Sequence, residues 1–488
     1  MALSCSNTLF PKPFFTSCSS QTQGTHFSNL PQPTKQDPIF KIKGPSTLSG
    51  HITISGSKNA SLPLLVATLC CSGTSLLHNL PNVSDIQAMA SILSSLGAKV
   101  DAFDGKMMVN SDGVGKVEVD LEEMKKIRGG FFVIGPLVAR FGEAVVALPG
   151  GCNIGKRPVD LHLRGLRALG AVVELRQLVL QCYRDGKVWA RAANGRGLVG
   201  GKFRLDYPSV GATETLMMAA SMADGTTVLS NVAKVTEPEV VDLARFLTDC
   251  GAWIEGAGSD NLIIRGKRQL YGSECVIKPD RIETGTFMLA AAITRSCILI
   301  SPVIPSRVSC LIDKLSQAGC KISRLDQQTL QVSAHPSHIG YDLKSFDIKT
   351  NPFPGFPTDL QPQTMALLAT CTGSSLVEES VFDNRMTHGI KLKPSRELQK
   401  LGARIQISGS NALVYGFDEG SALQGSRVIA RDLRGGVSLI LAGLAAKGTT
   451  QIHDIAHIER GYENIDMKLQ NLGADIQRLT LTPVPHLL

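Results

Sequence analysis

No run of about 18 or more apolar residues occurs in this 488-residue chain, so a membrane-spanning helix is not expected. The longest apolar stretches, such as Ser438 to Ala446, reach about ten residues and read as buried helices. Blocks of five or six basic residues are missing, and aromatics make up only 5%. A nucleic-acid partner would call for clustered Lys and Arg with stacking aromatics, so none is expected. The formal charge of +8 is spread along the chain, and isolated arginines suit a small anionic substrate better. The twelve cysteines show neither CxxC nor Cys/His ligand spacing. That argues against a zinc site or a disulfide framework and for reduced thiols. Cys70-Cys71, inside an apolar stretch, reads as core. Neither a Walker A motif nor a dinucleotide fingerprint is present, so no cofactor is expected.

What is there describes a folded globular protein, 43% hydrophobic and 19% charged. The length exceeds one compact core and predicts two domains. Residues 1–36 stand apart: they hold no Asp, Glu or Arg and are rich in Ser and Thr, the first acid being Asp37. They read as an organelle transit peptide, with the chloroplast as destination.

The rest of the chain repeats. A glycine followed by a small residue and an apolar segment recurs at Gly97, Gly170, Gly251, Gly319, Gly402 and Gly473, about 70–80 residues apart. Each follows a helix-like stretch such as SILSSLGAKV or SRELQKLGARI, where a helix end needs a left-handed residue. A second helix leads each unit, apolar on more than one face and so expected to be buried. Two of these, opening Arg128-Gly129-Gly130 and Arg434-Gly435-Gly436, stand at one spacing from Gly142 and Gly448 and tie the two halves together. The pattern predicts an α/β protein of six units, three per domain, rather than an ordinary doubly wound sheet. Free N–H groups at inward-pointing helix starts would favour an anion between the domains.

Chemistry-bearing residues stand at those helix starts: Lys58, Arg128, Arg281, Asp359 and Arg434. Lysine and arginine there can neutralise a phosphate or carboxylate, and Gly-Gly lets backbone approach a ligand. Asp359 reads either as a general base for a hydroxyl or as a helix cap. Arg460 lies in a short polar segment before the last helix. The sharpest local signal is the loop Leu148-Pro149-Gly150-Gly151-Cys152-Asn153-Ile154-Gly155-Lys156-Arg157-Pro158. Its glycines make it mobile, and the cations beside Cys152 favour the thiolate.

The segments SGSKNASLPLL, LPGGCNIGKRPVDLHL, SVGAT, EPEVVD, DRIETGTF, FPTDLQPQ, FDNR, DLRGG and HIERGYENI together resemble the bacterial UDP-N-acetylglucosamine 1-carboxyvinyltransferases, from about residue 38 to about 480. The shikimate-pathway enolpyruvyl transferases carry a GNAGTAMRPL-like motif that is missing here. The resemblance implies a two-domain inside-out α/β barrel. One domain would comprise 58–278 and the other 37–57 with 279–488, and the chain would act as a monomer. It implies transfer of enolpyruvyl from phosphoenolpyruvate to the 3-hydroxyl of UDP-N-acetylglucosamine, by addition and elimination without a metal. Lys58, Arg157 and Arg434 would hold phosphoenolpyruvate, with Arg460 closing onto it. Asn59, Arg128, Arg157, Pro158, Val159, Asp160, Leu161, Ser209, Val210, Gly211, Asp359 and Val381 would contact the UDP-sugar. Asp359 would take the hydroxyl proton, and Cys152 would serve as proton donor or in product release. The alternatives are transfer to shikimate 3-phosphate, or a catalytically silent binding protein of the same fold. Departures from the family pattern are Gly-Gly after Arg128 and Arg434, where Ala-Ser is usual, Lys156 at a usually small position, Tyr207 where some members place lysine, and extra residues near Val235-Thr236 and between Gly389 and Ser395.

Overall fold

The computed structural model describes residues 37–480 apart from 151–157, 178–185, 196, 234–236, 340–341, 383–393 and 418–421. Among the described residues, helices alternate with six sheets of three or four strands and one two-stranded sheet. No helix among them is long and apolar enough to cross a membrane.

The glycine pattern has a direct local cause. The helices Ser84–Ser95, Asp160–Ala168, Pro238–Asp249, Ser309–Ala318, Pro394–Lys400 and Ile465–Asn471 each end just before one of the six glycines. All six glycines have positive φ, from 84° at Gly170 to 109° at Gly319. The left-handed residue turns the chain so that the next N–H reaches back to the last helical turn. Ala98 thus donates to the Leu93 carbonyl at 3.1 Å, and Ala474 to Leu469 at 3.0 Å. A strand then begins, as in Lys99–Phe103 and Asp475–Leu479.

The larger sheets share one pairing scheme. Thr74–His78 pairs in parallel with Glu274–Val276 and antiparallel with Lys106–Asn110, which pairs antiparallel with Lys99–Phe103. The same scheme surrounds Thr226–Ser230, Cys297–Ser301, Ser374–Glu378 and Gly448–His453. Around Glu143–Ala147 both antiparallel ladders are present, and the parallel neighbour shrinks to one bridge between Glu118 and Val145. In the last sheet, the strand contributed elsewhere by the same unit comes from the start of the chain. Ile39–Gly44 lies between Gly448–His453 and Asp475–Leu479.

Two separate apolar cores result. One runs from Ala60 to Ile277. The other combines residues between Phe40 and Ile54 with residues from Ile282 to Ile476. The chain crosses between them twice, side by side: Ser57 N–H donates to the Lys278 carbonyl at 2.8 Å, and Asp280 N–H to Ser55 at 2.9 Å. At the centre of the first core, Lys58–Ala67 and Ile134–Phe141 pack on Val210–Ser221. At the centre of the second, Arg281–Ile293, Gln361–Leu368 and Leu433–Ala445 pack on one another. Being surrounded, they are apolar on nearly every face; all of Ile282 to Ile293 is buried.

The matched Arg-Gly-Gly helices differ in structure. Leu433–Ala445 is α-helical from the start because Asp432 accepts from the N–H groups of Arg434 and Gly435, at 3.0 and 2.9 Å. Lys126 stands where the second segment has Asp432, and Ile127, which precedes Arg128, makes no side-chain cap, so the segment opens as a 3-10 turn, Arg128–Val133, before Ile134–Phe141. The glycine pairs also do not open the backbone to a ligand. A Cβ on Gly130 would meet Met124 Sδ at 2.9 Å, and one on Gly436 would meet Ile458 Cγ1 at 2.6 Å. Both pairs are buried and serve close packing within the protein.

Candidate active site

Lys58 opens its helix behind Ser57, whose hydroxyl accepts from Ala60 N–H. It is buried, and its ammonium pairs with Asp85 at 3.2 Å. Arg460, from the second core, pairs with the other oxygen of Asp85 at 2.9 Å and donates to the Lys126 carbonyl at 3.1 Å. One buried carboxylate of the first core thus gathers a lysine and an arginine from opposite cores. Gly461, beside Arg460, approaches both Lys58 and Leu433.

Arg434 follows on the other side. It is buried, its Nη2 donates to Asp359 Oδ2 at 2.8 Å, and its guanidinium lies 5.3 Å from the Tyr462 ring. Burial works against its charge, but Asp359, Tyr462 and Asp280 outweigh this and raise its pKa. Asp280 also accepts from the backbone N–H of Lys58 at 3.1 Å. Asp359 sits in a 3-10 turn, Thr358–Leu360, and the α-helix begins only at Gln361. Neither Pro357 before the turn nor Leu360 before the helix makes a side-chain cap, and the carboxylate of Asp359 accepts from Arg434. Glu379 accepts from the Thr358 hydroxyl at 2.9 Å and from the N–H of Val381 at 3.0 Å, holding Val381 beside the turn.

A second group forms around Arg128. Burial, and then the charge of Arg128, push the pKa of His162 down to about 3, so the imidazole is neutral. Its Nδ1 lies 3.0 Å from the Thr215 hydroxyl. A Cβ on Gly211 would stand 3.1 Å from the Phe132 ring, a tight approach, and 3.5 Å from the His162 ring, an ordinary contact. Ser209 caps the same helix, Val210–Ser221, through a long 3.4 Å bond. Tyr207, about half exposed, has its pKa raised by burial and by Asp160 and Asp206, with Arg128 opposing. Leu161 is buried, Val159 is half-buried, and Pro158 and Asp160 are exposed. Asn59 is half-buried next to Lys58. The groups are linked through Lys126, two residues from Arg128, and through Gly129, which packs on Leu62 one turn along from Lys58.

Cys152, Lys156 and Arg157 lie outside the described residues, as do Val235-Thr236 and the added segment after Gly389. The near stem of the cysteine loop is described: Gly150 N–H donates to the Met124 carbonyl at 3.2 Å, and its Cα lies against Lys125. Gly150, the last described residue before the loop, thus lies against the residue preceding Lys126, whose carbonyl accepts from Arg460. Arg281, read as a helix-start cation for a ligand, is instead engaged within the protein. It pairs with Glu237 and Glu239, each at 3.1 Å, and joins the two cores. The free N–H groups expected at the helix starts are also largely taken, by Ser57, Asp280 and Asp432. Attraction for an anion therefore rests on the cationic side chains.

Sequence reading missed Asp85, Tyr462 and His162. Asp85 stands in the first turn of Ser84–Ser95, where an acid complements the helix dipole and passes for a surface residue. Only its burial marks it. A shallow cavity of about 430 Å³ lined by Ser301, Pro302 and Asp326 to Thr329 contains none of these residues.

A profile of the EPSP synthase (3-phosphoshikimate 1-carboxyvinyltransferase) family matches residues 42–469. The chain is 47% identical over 450 residues to the UDP-N-acetylglucosamine 1-carboxyvinyltransferase of Gloeobacter violaceus, covering 92% of each protein. It is 43% identical over 441 residues to the protein of that name from Synechocystis, covering 90% of this chain and 95% of that one. The solved structure of the enolpyruvyl transferase NikO from Streptomyces tendae is similar in fold, with a TM-score of 0.77 at 24% identity over 91% of this chain and 99% of that one. An EPSP synthase from Acinetobacter baumannii gives a TM-score of 0.70 at 18% identity over 91% of this chain and 100% of that one. With such identity maintained over nine-tenths of its length, the chain belongs to the EPSP synthase family, on the branch of the UDP-N-acetylglucosamine 1-carboxyvinyltransferases.

Proposed function

We propose that the protein transfers the enolpyruvyl group of phosphoenolpyruvate to the 3-hydroxyl of UDP-N-acetylglucosamine and releases phosphate, the first committed step toward peptidoglycan precursors. The observation that carries this reading is a pair of neighbouring ion clusters built from two cores, Lys58 and Arg460 on Asp85 and Arg434 on Asp359, linked by Gly461 against Lys58 and Tyr462 against Arg434. Three cations match a substrate bearing both phosphate and carboxylate, and the carboxylate beside them matches a hydroxyl that must lose its proton. Asp359 accepts the 3-hydroxyl proton as the oxygen attacks C2 of phosphoenolpyruvate, and Cys152 supplies a proton to C3. The resulting tetrahedral ketal loses a C3 proton and expels phosphate, restoring the enol ether. Preorganised cations in a site closed to water stabilise the anionic transition state, each donor contributing about 2–4 kcal/mol. Arg128, the Arg157–Leu161 run and the Ser209–Gly211 helix start hold the nucleotide, with neutral His162 packed behind them. Cys152, on the loop rooted at Gly150, also acts in product release.

The six sheets with one pairing scheme support six copies of one unit, three in each of two inside-out α/β barrels. The two cores support a division into 58–278 and 37–57 with 279–488. Residues 1–36 would direct the chain to the chloroplast stroma, where it acts as a monomer. The test is phosphate release by a chain beginning near Gln36, given phosphoenolpyruvate and either UDP-N-acetylglucosamine or shikimate 3-phosphate. Release is expected only with the UDP-sugar. Release only with shikimate 3-phosphate assigns the other acceptor, and none with either leaves a non-catalytic binding protein.

A further inference from the structure

Every described cation assigned above to phosphoenolpyruvate is already paired with a carboxylate of the protein. Lys58 and Arg460 share Asp85. Arg434 holds Asp359. The two carboxylates differ in kind. The Asp85 side chain is 7% exposed and lies between two cations, so it serves as a fixed counter-ion. The Asp359 side chain is 26% exposed and is the group assigned to the acceptor hydroxyl. A carboxylate that accepts a guanidinium hydrogen bond has less affinity for a proton, and so is a weaker base, than the same carboxylate set free. As the structure stands, the cation meant for one substrate restrains the base meant for the other.

Arg434 is placed so that it can exchange partners. Its backbone is anchored at the helix start by Asp432, at 3.0 Å, so the side chain can turn without moving the helix. The Tyr462 ring beside its guanidinium, and the nearby charge of Asp280, keep it charged and seated when Asp359 is given up. Tyr462 is itself fixed, its hydroxyl 2.9 Å from that of Thr286 and 3.2 Å from Gln363 Nε2.

We propose that the Arg434–Asp359 pair is a lock opened by the anionic substrate: phosphate or carboxylate oxygens draw the guanidinium away, and Asp359, released from Arg434, becomes the stronger base for the hydroxyl proton. This rests on the reaction proposed above and adds an order to it. The base is released only when the group to be transferred is in place, so that the hydroxyl gives up its proton as it attacks.

The test is calorimetric binding of inorganic phosphate and of phosphoenolpyruvate to the full chain, its Asp359→Asn variant, and the double variant Asp359→Asn with Arg434→Gln. The lock predicts that Asp359→Asn binds phosphate about tenfold more tightly than the unaltered protein, because Arg434 no longer has to leave a charged partner. The double variant should lose that gain. Unchanged or weaker binding by an Asp359→Asn protein of normal melting temperature overturns the proposal. If that variant does not fold, Asp359→Ser serves the same comparison with the same two outcomes. Phosphate release by the unaltered protein is measured alongside. Its absence removes the proposed reaction, while the binding comparison still decides whether Asp359 and an anion compete for Arg434.

Discussion

Asp85 is the residue on which the charged site balances. It offers one oxygen to Lys58 and the other to Arg460, and all three side chains are less than one-fifth exposed. Removing its charge leaves two buried cations facing each other, a change expected to cost about 3 kcal/mol. Asp85→Asn should therefore lower the melting temperature, and added phosphate should restore more of it than an equal ionic strength of chloride does. Equal recovery in both salts would mean that the cations do not form an anion site. His162 makes a second prediction. Its folded pKa is lowered to about 3 from an ordinary value of 6.5. Below pH 6.5 the unfolded chain takes up a proton that the folded chain refuses, so stability falls on acidification through that window and returns as pH rises. Between pH 6.5 and 5, His162→Gln should lose about 2 kcal/mol less stability than the unaltered protein in denaturant titrations. Parallel loss in the two proteins would show that the imidazole is protonated when folded.

At the scale of elements, the core helices set the spacing of the site. They approach closely where glycine faces a neighbouring backbone. A Cβ on Gly135 would stand 2.5 Å from the carbonyl oxygen of Thr215, which is part of the Val210–Ser221 helix and cannot turn aside. Gly135→Ala should push those helices apart and destabilise by about 2–3 kcal/mol. Gly443, inside Leu433–Ala445, would bring a Cβ no closer than 3.3 Å to side-chain atoms of Ile42 and Thr450. There the helix-propensity gain of about 1 kcal/mol offsets the crowding, and Gly443→Ala should be near neutral. Chemical denaturation of the two variants checks the contrast, and similar losses would discount backbone proximity as the cause. The six apolar helices and the six glycine-ended helices were legible in the sequence because periodicity and left-handed glycine are local properties. The 3-10 opening at Arg128 was not, since two like segments diverge on a single residue two places before the arginine, Lys126 against the capping Asp432.

For the whole molecule, the decisive feature is that the start of the chain completes its end. Ile39–Gly44 lies between Gly448–His453 and Asp475–Leu479, and Ser49–Thr53 pairs with Cys297–Ser301. A chain begun at Asp37 keeps both strands, whereas one begun at Ser57 leaves Phe40, Ile42, Leu48, Ile52 and Ile54 out of the second core. The longer chain should melt cooperatively, and the shorter one should lose the unfolding transition of the second core in calorimetry. An unaltered transition would show that the core closes without them. The cores are further joined by Arg281 with Glu237 and Glu239, and by Arg307 with Asp242 at 2.7 Å. These buried pairs fix where Asp359 and Arg434 stand relative to Lys58.

By itself, the sequence determined what depends on neighbouring residues along the chain: the repeated units, the glycine turns, the buried character of the core helices and the identity of the cations at or near their starts. Cys152 and its loop belong there too, as a motif read from glycines and flanking charge. Tertiary structure alone decided which charges meet. Nothing local marks Asp85 as the partner of Arg460, 375 residues away, or Asp359 as the partner of Arg434. Helix position could equally have left each carboxylate as a solvated cap. Burial decided otherwise, because a charge removed from water must find an opposite charge in space, wherever in the sequence that charge lies.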